Sequence, residues 1–166
     1  ADFNFPLLLH QQNIVPAAFV AWSRDSSGAP ARSAWRVFLD YPNDRWDNFV
    51  AVSRIDRGFD PALGFVRQDG VWRYTAAVRA FPRPRRWGIR NFVFKPFEFD
   101  ISTDLDGKLS NAFYEARPFG FRTIAGDEFE LNIQRFEDVI PPPAAPDDSF
   151  EIFPGTEILP GRYAWN

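Results

Sequence analysis

Side chains that titrate near neutral pH are scarce in this chain. Its 166 residues include one histidine, His10, and no cysteine. Catalysis by a nucleophile and a base needs a group that accepts a proton near neutral pH, which is usually histidine. His10 lies beside Gln11 and Gln12 in an irregular segment that has no paired serine or cysteine motif. We therefore expect His10 to be a surface polar residue and the protein not to be an enzyme.

Five carboxylates offer an alternative chemistry, the hydrolysis of glycosidic bonds by an acid and a base. The candidates are Glu98, Asp100, Asp104, Glu128 and Glu130. The sequence does not fix any two of them across a cleft, and carboxylates on alternating strands usually face water. A glycan-acting enzyme is therefore the least favoured alternative.

Asp104 and Asp106 stand close together before Gly107, and paired aspartates in a turn supply the oxygen ligands that calcium prefers. A helical calcium loop that starts at Ser102 would need its bidentate glutamate at the position of Phe113. A hairpin turn of the Asp-Gly type accounts for the same residues. We expect a turn here and no metal site, and the absence of cysteine removes thiolate ligands as well.

The elements that position these groups are short runs in which apolar and polar residues alternate, the pattern of a strand with one face exposed. Most of the 19 Phe, 6 Trp and 4 Tyr stand in such runs. Runs at 33–41 and 47–55 flank the turn motif at 42–44 and predict a hairpin. The sequence predicts an all-β protein, an antiparallel meander of about seven or eight strands. An open sheet or a sandwich is preferred, and a small barrel is the alternative.

Proline, glycine and the limits of the alternation divide the chain into four segments. Residues 1–14 are expected to form an extended N-terminal arm, 15–140 an antiparallel β domain, 141–149 a proline-rich linker and 150–166 an extended C-terminal tail. Hydrophobic content of 45% and charged content of 25% are values of a globular domain. The net charge of −3 gives no general attraction to nucleic acid, and no apolar run approaches the roughly 20 residues of a membrane helix.

The beginning of the chain bears on its location. It starts Ala1-Asp2-Phe3 and contains no methionine. Because a nascent chain begins with methionine, we expect that a signal segment has been removed or that the sequence is a piece of a longer protein. Both alternatives fit an extracytoplasmic protein.

Several strings along the chain resemble one bacterial family. They are residues 38–46, 59–66 with 73–74, 103–107, 150–155 and 158–163. Their order is similar to that in the C-terminal region of a family of large cell-envelope proteins of unassigned function, which pair a carbohydrate-binding-like N-terminal module with an outer-membrane β-barrel. The resemblance covers about three quarters of this chain. It implies an extracytoplasmic, membrane-associated protein in the periplasm or outer membrane of a bacterium of the Gram-negative type. It brings no catalytic residues, and the sugar-binding-like module has no counterpart in these residues.

Two groups of residues have the composition of a contact surface. The first is a basic segment held extended by prolines, with a tryptophan among arginines, which bind phosphate and carboxylate groups well. Its members are Arg79, Arg83, Arg85, Arg86, Trp87 and Arg90. The second is a phenylalanine-rich strand. Its alternation places apolar groups on both faces, one face for the core and the other for a partner or lipid. Its members are Phe92, Phe94, Phe97 and Phe99. A solvated loop and an ordinary core are the respective alternatives.

The surplus of apolar side chains and the shortage of reactive ones predict a non-enzymatic module that docks on a larger membrane complex. We expect its partners to be other protein subunits of a respiratory, photosynthetic or secretion assembly, with the membrane surface or lipid as a further contact and no nucleic acid. No cofactor is expected. The alternative is a segment of an outer-membrane β-barrel that binds or passes small solutes.

Overall fold

The computed structural model describes residues 2–4, 6–9, 12–24, 30–61, 66, 68–84, 86–140 and 161–166. These residues form eleven β-strands joined by turns and loops. The strands are β1 (Asp2–Asn4), β2 (Leu7–Leu9), β3 (Gln12–Ser23), β4 (Arg32–Pro42), β5 (Trp46–Ile55), β6 (Val71–Ala80), β7 (Ile89–Phe92), β8 (Phe94–Asp104), β9 (Leu109–Thr123), β10 (Glu128–Ile140) and β11 (Gly161–Trp165). In this described part of the chain, no helix is long and apolar enough to cross a membrane.

All eleven strands belong to one antiparallel sheet. Along its main path the order is β1-β3-β4-β5-β6-β8-β9-β10-β11, while β2 pairs with β3 and β7 pairs with β9. The prediction of an all-β antiparallel meander is confirmed, in the form of an open sheet. The predicted seven or eight strands correspond to the seven long ones. The other four, β1, β2, β7 and β11, have only three to five residues, too few to show alternation.

Both ends of the chain add strands to the sheet. β1 and β2 pair with β3, so the first 14 residues contain ladder pairs where the sequence predicts an extended arm. β11 pairs with β10, from Phe136↔Trp165 to Ile140↔Gly161. The predicted linker, 141–149, and the first part of the predicted tail, 150–160, lie outside the described residues, as does His10.

Local turn chemistry explains why the strands reverse direction where they do. β4 and β5 form the hairpin predicted from the sequence. Between β8 and β9, Gly107 has a φ of 86°, a left-handed conformation that glycine adopts without strain. Asp104 Oδ1 accepts hydrogen bonds from the N–H groups of Asp106 and Lys108, at 2.9 and 2.8 Å. The Asp-Gly turn predicted there is confirmed, and Asp104 is the hydrogen-bond acceptor inside it.

The two faces of the sheet differ because side chains alternate along each strand and paired residues share a face. One side, which we call the apolar face, presents aliphatic and aromatic side chains. Its central members are Trp35, Val37, Leu39, Trp46, Val50, Val52, Trp72, Tyr74, Val78, Phe97, Phe99, Ile101, Tyr114 and Ile133. The other side, which we call the charged face, presents ionised side chains. They include Asp47, Arg73, Arg79, Lys95, Glu98, Asp100, Glu115 and Arg117.

Within the described residues, no second layer covers the apolar face. Val37 is 53% exposed, Val50 48% and Ile133 58%. The buried hydrophobic residues are mostly alanines of the sheet itself, such as Ala51 and Ala77. A globular domain normally hides its large apolar side chains in a core between packed layers. This sheet instead presents most of them together on one side.

The edges of the sheet are partly unpaired in the described part of the chain. β11 covers β10 only from Phe136 to Ile140, so residues 128–135 pair with β9 on one side alone. The opposite edge is formed by the short strands β1 and β2. Unpaired N–H and C=O groups along an edge are a template for a further strand.

Candidate functional site

A continuous series of ion pairs crosses the charged face from β5 to β10, and we call it the ion-pair ladder. In order of contact its members are Asp47, Arg79, Glu98, Lys95, Glu115, Arg117 and Glu130. Acid and base alternate at every step, so each charge has partners of the opposite sign on both sides, except at the two ends. Such cross-strand pairs of opposite charge stabilise a sheet.

The first half of the ladder is built around Arg79 on β6. Its Nη1 lies 3.2 Å from Asp47 Oδ2 on β5, and its Nη2 lies 3.3 Å from Glu98 Oε2 on β8. The guanidinium also lies 5.6 Å from the ring centre of Phe49, within the range of a cation–π contact. One arginine therefore links three neighbouring strands.

The second half passes through the most buried charges. Lys95 Nζ lies 2.7 Å from Glu98 Oε2 and 3.1 Å from Glu115 Oε1. Lys95 and Glu115 are 8% and 9% exposed. Arg117 then contacts Glu115 at 3.4 Å and Glu130 at 2.7 Å. Charges covered to this extent are tolerated only when they are paired and hydrogen-bonded, and the ladder meets that requirement.

Two further pairs flank the ladder. Arg73 on β6 binds Asp100 on β8 through two hydrogen bonds, with Nε donating to Oδ1 at 2.7 Å and Nη2 donating to Oδ2. Arg122 Nη2 lies 2.8 Å from Glu128 Oε1. Of the five carboxylates considered for glycoside hydrolysis, four are thus held in ion pairs. They are Glu98, Asp100, Glu128 and Glu130.

Two adjoining cavities, of about 540 and 280 Å³, open on the charged face between the β4–β5 turn and β7. They share Asp47, Phe81 and Arg122 in their walls, and we call them together the arginine groove. The charged side chains that line the groove are Asp44, Asp47, Arg79, Arg83, Arg90, Lys95, Arg117 and Arg122.

A third cavity, of about 580 Å³, lies toward the other end of the sheet. Part of its wall comes from the described residues of the β5–β6 connection, and one of them, Gln68, contacts β9. Gln68 Nε2 donates to Ser110 Oγ at 2.7 Å, and Asn111 Nδ2 donates to Gln68 Oε1 at 3.3 Å. Val66, from the same connection, lines this cavity as well.

Aromatic rings cover the opposite wall of this third cavity. The rings of Phe113 and Phe136 lie 4.9 Å apart, and Trp165 stacks on Phe136 at 5.6 Å. These rings belong to β9, β10 and β11, and Phe113 and Phe136 line the cavity. The sequence pattern does not predict this stack, because only the register of three strands brings the rings together.

The basic segment predicted as a contact surface is divided by the structure. Arg79 belongs to the ion-pair ladder. Arg83 Nη2 lies 2.5 Å from Asp44 Oδ1 in the β4–β5 turn, and both side chains are well exposed. Arg85 lies outside the described residues.

The rest of that segment forms an exposed tip next to β7. Trp87 is 79% exposed, and Arg86 and Arg90 are exposed as well. Trp87 and Gly88 have φ values of 58° and 68°, and Ile89 N donates to Arg86 O at 3.1 Å. Two successive residues with positive φ are the mark of a tight hairpin turn, and tryptophan adopts this conformation at a cost. That this tip contacts a partner stays a prediction.

The phenylalanines predicted on both faces of one strand lie on the apolar face, so that prediction is wrong. Phe94 pairs with Ala80 and Phe97 pairs with Val78, and these two partners point to the same side of β6. A register shift between the two pairs adds one residue to β8, a β-bulge, and resets the alternation. Phe97 and Phe99 then follow on the same face, with rings 6.3 Å apart.

The remaining phenylalanine of that group, Phe92, joins a cluster at the same end of the apolar face. Its ring lies 5.9 Å from Phe94 and 6.0 Å from Phe119. Phe119 in turn contacts Phe121 and Phe129 at 5.9 and 6.3 Å. Trp46, half exposed, lies in the same row as Phe94 through their common neighbour on β6.

Tryptophans mark the other end of the apolar face. Trp35 and Trp72 pack edge to face with ring centres 5.5 Å apart, and the Arg54 guanidinium lies 5.7 Å from the Trp72 ring. Along β6, eight residues separate Trp72 from Ala80, the neighbour of Trp46, which is about 27 Å of strand. The tryptophans therefore lie at the two ends of a band, called here the aliphatic band, that holds mainly aliphatic side chains together with Tyr74, Phe97, Phe99 and Tyr114.

One group of charges interrupts the apolar face at β10 and β11. Glu137 is 5% exposed and is covered by two arginines on its own face. Arg135 Nε donates to Glu137 Oε1 at 2.7 Å, and Arg162 Nε donates to Glu137 Oε2 at 3.0 Å. We call these three residues the edge triad.

The fold and the site define a class of protein, a one-layer antiparallel sheet with an apolar face and a face of paired charges. Among the residues that the structure describes, no three metal-ligating side chains are close enough to hold an ion. Comparison with protein-family models, with curated proteins and with solved structures finds no match. The resemblance to the cell-envelope family therefore stays a prediction.

Proposed function

We propose that this chain forms part of the wall of an outer-membrane-type β-barrel. Its apolar face contacts lipid hydrocarbon, and its charged face borders a water-filled interior that binds or passes small polar solutes. One observation carries the proposal: within the described residues, a single layer of strands exposes most of its large aliphatic and aromatic side chains on one side. Each valine, leucine or phenylalanine removed from water gains about 1.5–3 kcal/mol, so a face of this kind requires an apolar cover.

Strand length supports the same conclusion. β4, β5, β6 and β8 contain 11, 10, 10 and 11 residues. A tilted strand needs about 9–11 residues to cross the hydrocarbon of a bilayer. Strands of soluble proteins usually have about 3–10 residues, most often about 5–6, so four neighbouring strands of this length agree with a membrane span. The other long strands, β3, β9 and β10, have 12, 15 and 13 residues.

The positions of the tryptophans agree with those expected for the two membrane interfaces. Tryptophan and tyrosine prefer the headgroup level, where their rings are half apolar and half polar. Trp35 and Trp72 lie at one end of the aliphatic band and Trp46 at the other. In a tilted sheet, about 27 Å of strand between the two ends corresponds to a lipid-facing band of about 25 Å or less.

The charged face supports the interior part of the proposal. Interiors of outer-membrane barrels are polar, and ionised side chains at membrane depth face such an interior and pair with one another. The ion-pair ladder has this arrangement, with each inner charge held between two partners. The proposed role is non-enzymatic, in the outer membrane of a bacterium of the Gram-negative type.

A second candidate is the docking role on a larger membrane protein complex, favoured by the edge triad. Arg135, Glu137 and Arg162 lie on the apolar face, where a protein partner accommodates charge better than hydrocarbon does. In that case the partner subunit covers the apolar face and lipid does not.

Reconstitution into phosphatidylcholine vesicles separates these two functions. A barrel wall is expected to stay with the vesicles after washes with alkaline carbonate and concentrated urea, and to migrate differently on gels before and after heating. A docking module without its partner is expected to be washed off and to show no heat-dependent migration. Complete release by carbonate would therefore contradict the barrel-wall proposal.

A further inference from the structure

We infer that the arginine groove binds a small oxyanion, the carboxylate or phosphate group of a water-soluble solute. The inference deepens the proposed function and rests on it in one respect, that the charged face is open to water. It names a ligand chemistry for a specific part of that face.

The distribution of charge around the groove is the first argument. The cations that line the groove are Arg79, Arg83, Arg90, Lys95, Arg117 and Arg122, and the acids are Asp44 and Asp47. The ladder carboxylates Glu98, Glu115 and Glu130 balance several of these cations but line neither cavity. Six cations and two acids therefore line the groove, which offers mainly hydrogen-bond donors.

The outer arginines are free to turn toward a ligand. In the described part of the chain, Arg90 has no carboxylate partner, so its guanidinium donors are open. The Arg83–Asp44 pair has side chains 47% and 69% exposed, and the Arg122–Glu128 pair 48% and 45%. Exposed ion pairs of this kind contribute only about 0–1 kcal/mol, so an oxyanion competes with them at low cost. Arginine forks suit planar carboxylates and phosphates.

The inner wall of the groove is held rigidly by other contacts. Asn43 is fixed by Asn13, because its Oδ1 accepts from Asn13 N at 2.8 Å and its Nδ2 donates to Asn13 O at 2.9 Å. Asn91 is buried, with Nδ2 donating to Phe92 O at 3.0 Å. Phe81 lies in the walls of both cavities. A fixed wall with movable arginines at the mouth, and a volume of about 540 Å³ in the larger cavity, fit a small solute.

The position of the groove favours a dissolved solute over a lipid headgroup. Asp47, Arg79 and Arg117 point to the charged face, away from the aliphatic band. In the proposed wall, a lipid headgroup lies at the border of the apolar face, on the other side of the sheet. The oxyanion therefore reaches the groove from water.

Calorimetric titration tests the inference. The purified full chain, in a non-ionic detergent at low ionic strength, is titrated with inorganic phosphate and, separately, with succinate. We expect saturable binding of at least one of them, weakened about tenfold or more by Arg90→Gln and by Arg83→Gln. Arg24→Gln is the matched control, because Arg24 is also exposed but lies at the opposite end of the sheet. Circular dichroism shows whether each variant keeps its strands.

The outcomes distinguish the groove from the barrel wall. A chain that withstands carbonate washing in vesicles but binds neither phosphate nor succinate would overturn the groove and leave the wall proposal intact. An equal loss of affinity in Arg24→Gln would also overturn the groove, since the binding would then follow overall charge. Nanodiscs of phosphatidylglycerol and of phosphatidylcholine are expected to give the same phosphate affinity. Loss of binding in phosphatidylglycerol alone would identify the ligand as a headgroup and contradict a dissolved solute.

Discussion

Lys95 Nζ on β8 lies 3.1 Å from Glu115 Oε1 on β9, and both side chains are almost fully covered. This pair is the middle of the ion-pair ladder, where the surrounding protein screens charge least. Neighbouring Glu98 and Arg117 complete the coordination of the two charges. The pair therefore matters to stability mainly because the loss of one partner would leave the other charge covered and without compensation.

Replacing Lys95 by Met is expected to lower the free energy of unfolding by about 3 kcal/mol, because it leaves Glu115 and Glu98 covered with one partner fewer. The double variant with Glu115→Gln should lose less than the sum of the two single losses. Urea unfolding in detergent micelles measures all three. Arg73→Met, which removes a more exposed pair with Asp100, is the control and should cost about 1 kcal/mol or less. Strictly additive losses would show that the ladder does not act as a connected unit.

Charge introduced on the two faces should have opposite consequences. Val50→Arg places a cation on the aliphatic band, and insertion into vesicles should become less favourable by about 2–4 kcal/mol. Gln134→Arg adds the same charge to an exposed site on the charged face, opposite Glu115, and should leave insertion unchanged. The vesicle-bound fraction at increasing urea measures both. Equal behaviour of the two variants would count against a lipid contact of the apolar face.

The turn at Trp87 and Gly88 should tolerate glycine at both positions, whereas a side chain introduced at position 88 should carry a cost. Trp87→Gly is expected to keep or raise stability, since glycine adopts positive φ without the steric cost that a side chain brings. Gly88→Ala should lower stability by about 1 kcal/mol, although a Cβ there meets no neighbour, because its φ of 68° disfavours a side chain. Thermal unfolding of the two variants gives the comparison. A stable Gly88→Ala would mean that the turn adopts another conformation.

Asp56 provides a prediction about pH. Hydrogen bonds from Ser33 Oγ and Ser33 N, at 2.7 and 2.8 Å, hold the pKa of the Asp56 carboxyl below its ordinary value of 3.8. A carboxyl with a lowered pKa in the folded state adds stability above its ordinary value, and this stability is lost as the pH falls through the lowered pKa. Asp56→Asn should therefore cost about 1 kcal/mol at neutral pH, and the difference should shrink below pH 3.8.

The matched control for this pH experiment is Asp60→Asn, in the same connection. Asp60 is exposed, and its backbone N–H is what bonds to Ser23. The stability of this variant should follow that of the unchanged chain from neutral to acid pH. If Asp56→Asn behaves the same way, the hydrogen bonds from Ser33 do not stabilise the folded state.

The fold class follows from short-range information, which explains why the sequence predicts it. Alternation and turn residues act over a few positions, and they locate the β4–β5 hairpin and the Asp-Gly turn at Gly107. The bulge in β8 is different. It depends on how Phe94 and Phe97 match β6, and an alternation pattern read along one strand assigns the two rings to opposite faces.

The candidate site depends on contacts between residues that are far apart along the chain. Arg79, Lys95 and Arg117 are separated along the chain, and only the register of neighbouring strands brings them to one row of charges. Along the chain Arg79 stands near the other arginines, which is why the sequence predicts a single basic segment. Finding the ladder would have required the register of the strands from β5 to β10 and the sign of each charge on the charged face.

In the described part of the chain, the unpaired stretch of β10 at 128–135 allows a further strand to add to the sheet on that side. This edge of β10 can pair with one additional strand. Growth by such an edge stops when a ring of strands closes and otherwise continues from molecule to molecule. Overproduction of this chain without a closing neighbour should consequently yield fibrils that bind Congo red, and monodisperse particles would show that the edge is already capped.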